Sequence, residues 1–263
     1  MKGRVLIAAG SDSGGGAGIQ ADIKAVTALN GFAMTAITAL TAQNTQGVFG
    51  VLPVPPEFVA QQMRVVLDDT GADCVKTGML NTPEVIEAIA AVLGEHPGIP
   101  LVVDPVMVAK GGDRLLQENA QQALERRLLP RAAIVTPNLP EAEVMTGLRI
   151  SDVSGMREAA RRLLAMGPGA VLLKGGHLPG DTLTDLLVTA DGEERFSSRR
   201  FDSPHTHGTG CTLASAIAIG IAQGLELGEA VARARAYVVR AIETAPGFGK
   251  GHGPLNHAWP LDA

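Results

Sequence analysis

Glycine clusters mark where this chain can hold an anion. The stretch Gly10-Ser-Asp-Ser-Gly-Gly-Gly-Ala-Gly18 follows a short apolar run and precedes a helical one, so its backbone N–H groups are free to face a charged or flat ligand. A second cluster, His205-Thr-His-Gly-Thr-Gly-Cys-Thr212, opens a long apolar helix. Gly208, Thr209 and Gly210 would aim their N–H groups, with the helix dipole behind them, at one point. Such a point suits a phosphoryl group in transfer. Three further places supply charge: Asp104-Pro-Val-Met107, Asn138-Leu-Pro-Glu141 and Lys174-Gly-Gly-His177, each after an apolar run. Asn138 and Glu141 also stand at capping-box spacing. Together these residues offer carboxylates for a hydrated Mg²⁺ and a lysine for phosphate charge.

Other chemistries fit less well. Gly16-Ala-Gly-Ile-Gln-Ala21 matches a relaxed dinucleotide fingerprint, but no Asp or Glu occurs from Ile23 to Pro56 to hold a ribose. No Walker loop is present. His205, His207, His252 and His257 lack the carboxylate or cysteine spacing of a zinc site, Cys211 apart.

The elements that must position these residues alternate along the chain. Val5–Ala9, Ala33–Ala42, Asp73–Thr77, Leu101–Asp104, Ala132–Thr136 and Ala170–Lys174 read as strands buried on both faces. Helices are expected over Ile19–Asn30, Pro56–Asp69, from Thr82 to near Gly94, over Cys211–Gln223 and over Glu229–Thr244. Strands Leu183–Thr189 and Glu193–Ser198 flank the turn Asp191-Gly192 and should lie at the sheet edge. This alternation predicts a mainly parallel sheet with helices on both faces, and no linker or repeat divides residues 1–263. In such sheets ligands bind beyond the carboxyl ends of the strands, where the unusual residues fall.

Composition narrows the partners. The chain is 46% hydrophobic and 19% charged, as a folded protein is, and its 32 glycines exceed the usual share of about 7%. A net charge of −5 and 3% aromatics argue against nucleic acid or anionic lipid. The uncharged stretch Gly208–Leu225 is diluted by threonine, serine, glutamine and glycine, so it reads as a buried helix and not a membrane span. Two cysteines, Cys74 and Cys211, and no secretory start point to a cytoplasmic protein.

Taken together, Gly10–Asp22, Thr41-Ala-Gln-Asn-Thr45, Val75-Lys-Thr-Gly-Met-Leu80, Asp104–Met107, Thr136–Glu141, Lys174–His177, His207–Thr212 and Gly253-Pro-Leu-Asn-His257 resemble the hydroxymethylpyrimidine/phosphomethylpyrimidine kinases of thiamine biosynthesis. The resemblance runs in order over almost the whole chain. It implies a ribokinase-like three-layer α/β/α sandwich, ATP and Mg²⁺ as cosubstrates, and a homodimer; it leaves a monovalent cation open. The implied reaction phosphorylates 4-amino-5-hydroxymethyl-2-methylpyrimidine and then its monophosphate. By the same resemblance Gln43 would hold the pyrimidine, with Gly10, Asp22 and Met79 around it. Asp104, Asn138, Glu141 and Lys174 would serve the nucleotide phosphates, Asp104 and Glu141 holding Mg²⁺ through water, and Gly208, Thr209, Gly210 and Cys211 would form the anion hole. The chemistry of two residues agrees with this. The Gln43 amide offers a donor and an acceptor together, as an aminopyrimidine edge requires. Cys211 at a helix N-terminus is expected to titrate below the free-thiol value of about 8.5 and to serve as base. Pyridoxal kinases share the fold, anion hole and cysteine and are the nearest alternative, which Thr41–Thr45 disfavours. A nicotinamide-dependent oxidoreductase and a catalytically dead binding module are more distant ones. Ala109-Lys-Gly-Gly-Asp113 is the expected lid.

Overall fold

A computed structural model describes residues 1–107 and 118–261; the expected lid, Ala109–Asp113, lies outside the described residues. Side chains alternate along the first strand, β1 (Arg4–Ala9), and the alternation builds two cores. Leu6 and Ala8 point to one face of the sheet, Val5, Ile7 and Ala9 to the other. On the first face lie helices α2 (Pro56–Asp69), α3 (Pro83–Glu95), α4 (Glu118–Arg127), α5 (Leu139–Thr146) and α6 (Val153–Leu164). On the second lie α1 (Gly18–Ala28), α7 (Thr209–Ala222) and α8 (Leu227–Glu243). Strands covered on both sides can be apolar throughout, which is why they read as continuous runs. The result is the three-layer α/β/α sandwich the sequence predicts.

The remaining sheet strands are β2 (Phe32–Ile37), β5 (Cys74–Thr77), β6 (Leu101–Val103), β7 (Ile134–Val135), β8 (Ala170–Lys174), β9 (Thr182–Thr189) and β10 (Gly192–Arg199), with β3 (Ala39–Asn44) and β4 (Gly47–Pro53) set apart from them. The order across the sheet is β10-β9-β8-β7-β6-β5-β1-β2. Strands from β2 to β8 are parallel, and the hairpin β9–β10 runs antiparallel at the edge. The order reverses between β1 and β5, and the loops beyond their carboxyl ends flank that crevice.

One strand departs from expectation. The run Ala33–Ala42 breaks at Thr38, a buried residue whose hydroxyl donates to the Met79 carbonyl at 2.6 Å and whose N–H donates to Ala9. Those bonds turn the chain off the main sheet, and beyond them β3 pairs only with β4 in a separate antiparallel ribbon. Hydrophobicity continues across the break, so periodicity does not reveal it.

Candidate functional site

At the carboxyl end of β1 the glycine-rich loop is organised from within by Asp12. Its carboxylate accepts N–H bonds from Gly14 at 2.8 Å, Gly16 at 3.0 Å and Ala17 at 2.8 Å, and a bond from His207 Nε2 at 2.9 Å. Burial opposes ionisation, but the bonds from His207 and the backbone outweigh it and hold this carboxyl below the ordinary aspartate value. The loop thus carries its own anion, and the N–H groups a pyrophosphate would need for the dinucleotide reading are already used. Gly18 has φ +54°, and a Cβ there would run into the Gly10 carbonyl, so glycine is required where the loop turns back on itself.

A second glycine loop lies directly against the first. Gly208 is the N-cap of α7 with φ +79°, and a Cβ on it would strike the Gly16 carbonyl. His207 completes the contact through Asp12, and its own N–H donates to Gly253. The C-terminal segment closes over both: Thr45, at the β3–β4 turn, accepts from the N–H groups of Lys250 and Gly251 on Oγ1 and of His252 on its carbonyl. Farther along, the Thr212 hydroxyl meets His257 Nε2 at 2.8 Å, and Tyr237 donates to the His257 carbonyl at 2.7 Å.

Gln43 sits beside this junction, at the bulge where the β3–β4 register shifts. Ser13 Oγ clamps its backbone, accepting from the Gln43 N–H and donating to its carbonyl. The Thr41 hydroxyl donates to the Ser11 carbonyl at 2.8 Å and lies 3.3 Å from Gln43 Oε1, and Gln43 Nε2 lies 3.3 Å from His207 Nε2. Met79 crosses Gly10 nearby, its sulfur where only a glycine leaves room. Of the pyrimidine-side residues, Gln43, Gly10 and Met79 gather here.

Asp22 does not join them. It is fully buried in α1, bonded to Lys76 Nζ through both oxygens at 3.0 and 2.9 Å and accepting from Ser215 at 2.7 Å. An acid with every oxygen engaged inside the protein offers no edge to a ligand, so its part in the site is indirect.

The charged residues gather as expected. Lys174, ending β8, reaches Asp104 at 3.3 Å, and the Thr136 hydroxyl donates to the same Asp104 oxygen. Asn138 and Glu141 do form a capping box at the start of α5, with Glu141 N–H donating to Asn138 Oδ1 at 2.9 Å and Asn138 N–H to Glu141 Oε2 at 2.8 Å. The box and the charge cluster are one structure, because it carries Glu141 inward. Burial pushes the Glu141 carboxyl up to about 7, with Lys174 opposing and Asp104 adding to the rise. Burial works against the Lys174 ammonium as well, but Asp104 and Glu141 outweigh it and raise its pKa. A Cβ on Gly210 would stand 3.4 Å from Lys174 Nζ and 3.7 Å from Asp104 Oδ2. The opening of α7 therefore points at the charged pair, across a space that a methyl group would fill.

Cys211 follows, half-buried in the first turn of α7. The expected fall in its pKa is not found: burial pushes the thiol up to about 12, Asp22 and Asp104 adding to the effect while Lys76 and the Gly18 N–H oppose it. Carboxylates and desolvation here outweigh the helix terminus, and residue spacing cannot show this. Asp12 and Lys76 receive no role from the sequence, and His207 is weighed there only as a zinc ligand. An acid inside a glycine loop and a lone lysine in the apolar strand β5 were the signals for two of them.

The likeness to known proteins runs over nearly the whole chain. A family model described as phosphomethylpyrimidine kinase matches residues 12–256. The thiamine biosynthesis bifunctional protein ThiED of Geobacter sulfurreducens is 56% identical over 97% of the chain, which spans 52% of that longer protein. The hydroxymethylpyrimidine/phosphomethylpyrimidine kinase of Streptomyces coelicolor is 49% identical over 98% of the chain and 95% of its own length. Among solved structures, the ADP complex of Bacillus subtilis pyridoxal kinase superposes with a TM-score of 0.91 at 36% identity, covering 98% of both chains. A ribokinase-like sandwich with two facing glycine loops, matched over 12–256 by one family model, places this chain in the phosphomethylpyrimidine kinase family.

Proposed function

We propose that the chain is an ATP-dependent kinase that phosphorylates the hydroxymethyl group of 4-amino-5-hydroxymethyl-2-methylpyrimidine and then the resulting monophosphate, the pair of activities its Streptomyces relative is named for. The observation that carries this reading is the convergence of Lys174 and Asp104 on Gly210, where backbone N–H groups and an ammonium face one small space. The space and its donors fit a transferring phosphoryl group and a hydrated Mg²⁺. Among the described residues no three metal-ligating side chains cluster, and Mg²⁺ commonly keeps its waters and takes phosphate oxygens. Asp104 and Glu141 would hold the ion through water, and when bound it neutralises phosphate charge. A monovalent cation has no residue assigned to it.

The chain's own residues then divide the work. Gln43 orients the pyrimidine, with Gly10 and Met79 bounding it. Lys174 draws the γ-phosphate towards the N–H groups of Gly208 and Gly210, which meet the equatorial oxygens as charge develops, while the Thr209 N–H, expected to join them, donates to the Thr206 carbonyl at 3.4 Å. The hydroxymethyl oxygen bonds to the γ-phosphorus while the bond to the β–γ bridging oxygen breaks and ADP departs. The hydroxyl proton passes to Cys211 in its thiolate form, a minor species because burial pushes the thiol up to about 12. The monophosphate differs as an acceptor: its second pKa is about 6, so its oxygen is already ionised at neutral pH and requires no base.

ADP release measured with the aminopyrimidine alcohol, its monophosphate, pyridoxal and no acceptor tests the reading. Turnover of the first two is expected, and turnover of pyridoxal matching that of the aminopyrimidine would install the pyridoxal-kinase reading, the related alternative for which the Bacillus structure is named. We also read residues 1–263 as one kinase domain, a reading supported by a likeness to the Streptomyces relative that covers 98% of the chain. We further propose a homodimer through the β3–β4 ribbon. A two-stranded sheet is marginal alone, and Leu40, Phe49, Val51 and Leu52 leave an apolar face exposed. Leu52→Asp is expected to yield a monomer in sedimentation equilibrium; an unchanged mass would move the interface elsewhere.

A further inference from the structure

Beneath the opening of α7 lies an ion pair that the reaction above does not use. Lys76, in the middle of β5, and Asp22, in α1, are both fully buried, and their side chains meet at 2.9 Å. Ser215 donates to Asp22 from α7, one turn after Cys211 and on the same helix face. The pair thus ties the central sheet to the helix leaving the first glycine loop and to the helix that opens the anion hole. Gly78 makes the room: a Cβ there would stand 2.9 Å from Lys76 Nζ.

Isolating a lysine in an apolar strand costs its hydration, which a salt bridge repays only in part. Apolar residues would hold these elements together at least as well, so a purely structural role is a weak account of this pair. The surroundings suggest another. Cys211 feels Lys76 and Lys174 as cations, Asp22 and Asp104 as anions, and the Gly18 N–H as a donor. Burial disfavours the Lys76 ammonium, yet Asp22, Cys211 and Asp104 together raise its pKa, so it stays charged. Its position is fixed on both sides, by Asp22 and by the packing of β5.

We propose that Lys76 is a positioning residue of the phosphoryl-transfer centre, held by Asp22, which Ser215 of α7 bonds in turn, so that its fixed positive charge favours the anionic form of the Cys211 sulfur. The proposal rests on Cys211 as base for the first phosphorylation. On this account Lys76 favours sulfur anions, and Asp22 both anchors it and partly cancels it.

Two alkylating agents of nearly equal size, anionic iodoacetate and neutral iodoacetamide, read the field at Cys211. Modification is followed by peptide mass, which separates it from the buried Cys74. The iodoacetate-to-iodoacetamide rate ratio cancels accessibility and reports local charge. Lys76→Met is expected to lower that ratio roughly tenfold, and Asp22→Asn to raise it, because the first removes a positive and the second a negative charge acting on the sulfur. A merely structural role would loosen the site in both variants and move the ratio in neither direction consistently. Should Lys76→Met fail to fold, Asp22→Asn keeps a hydrogen-bonding side chain and carries the test alone. A ratio that stays put, or moves the same way in both variants, overturns the proposal and leaves the base assignment standing. Full first-step activity in Cys211→Ala would instead remove the base and leave the charge measurement intact.

Discussion

At the scale of single residues, Asp12 decides what Gln43 can do. Because the Asp12 carboxylate is held ionised by its N–H bonds, the His207 Nε2 that faces it must carry a proton and donate. A protonated Nε2 cannot also accept from Gln43 Nε2, although the two atoms lie 3.3 Å apart. The Gln43 NH₂ group therefore finds no acceptor in His207 and is left to donate to a ligand. Gln43→Leu keeps the volume and removes the amide, so apparent affinity for the aminopyrimidine is expected to fall by about 1–3 kcal/mol. Isothermal titration measures it, and an unchanged constant would take Gln43 out of the pocket. Cys211 carries the second expectation at this scale. A thiol pushed up to about 12 is almost wholly protonated at neutral pH, so the first phosphorylation should quicken as pH rises from 7 to 9. The second, whose acceptor is already ionised, should not. Cys211→Ala should slow the alcohol step by about 10²–10⁴ and the phosphate step far less. Equal losses would reassign Cys211 to packing.

Elements place these residues, and α7 shows how a helix start becomes a site. Gly210 lies inside the helix with ordinary backbone angles, and a methyl group there meets only Lys174 and Asp104, at van der Waals distance. Alanine is the better helix former by about 1 kcal/mol. Gly210→Ala is thus expected to unfold at the same temperature or higher while its kcat falls by about 10²–10³, since the methyl fills the space the phosphoryl oxygens need. Thermal melts beside ADP release check both halves, and undiminished kcat in the folded variant would remove the anion hole. Much of this element logic was legible in the sequence. Strands ending in Gly10, Asp104 and Lys174 announced their loops, and the glycines ahead of α7 announced its site. The break at Thr38 was not legible, because a buried hydroxyl bonding to Met79 leaves no mark on hydrophobic period. Nor was the fate of Asp22: only the folded chain brings Lys76, 54 positions away, against it. The rise in the Cys211 pKa was hidden for the same reason, since burial and two distant carboxylates produce it.

For the whole molecule, two buried groups on opposite faces of the sheet give stability a pH dependence in opposite senses. His257 is buried against Thr212 and Tyr237, and burial, with Lys24 adding to it, lowers its pKa from 6.5 to about 4. The unfolded chain therefore takes up a proton first, and stability is lost as pH falls from about 6.5 towards 4, by about 3 kcal/mol in all. Glu141 behaves the other way. Its folded pKa of about 7 lies above the ordinary 4.5, so the folded chain holds the proton, and stability is lost as pH rises from about 4.5 to 7, again by about 3 kcal/mol. Between pH 4.5 and 6.5 the two slopes oppose one another, and in the absence of nucleotide the protein should show a nearly level urea midpoint. Removing one group should expose the other. Glu141→Gln, which keeps an acceptor for the Asn138 N–H, is expected to unfold more easily at pH 4.5 than at 6.5. His257→Asn is expected to unfold more easily at 6.5 than at 4.5. Urea titrations of the three proteins at those pH values decide it: slopes of the same sign in both variants would mean that at least one of these groups titrates near its ordinary value and that its burial does not control its charge.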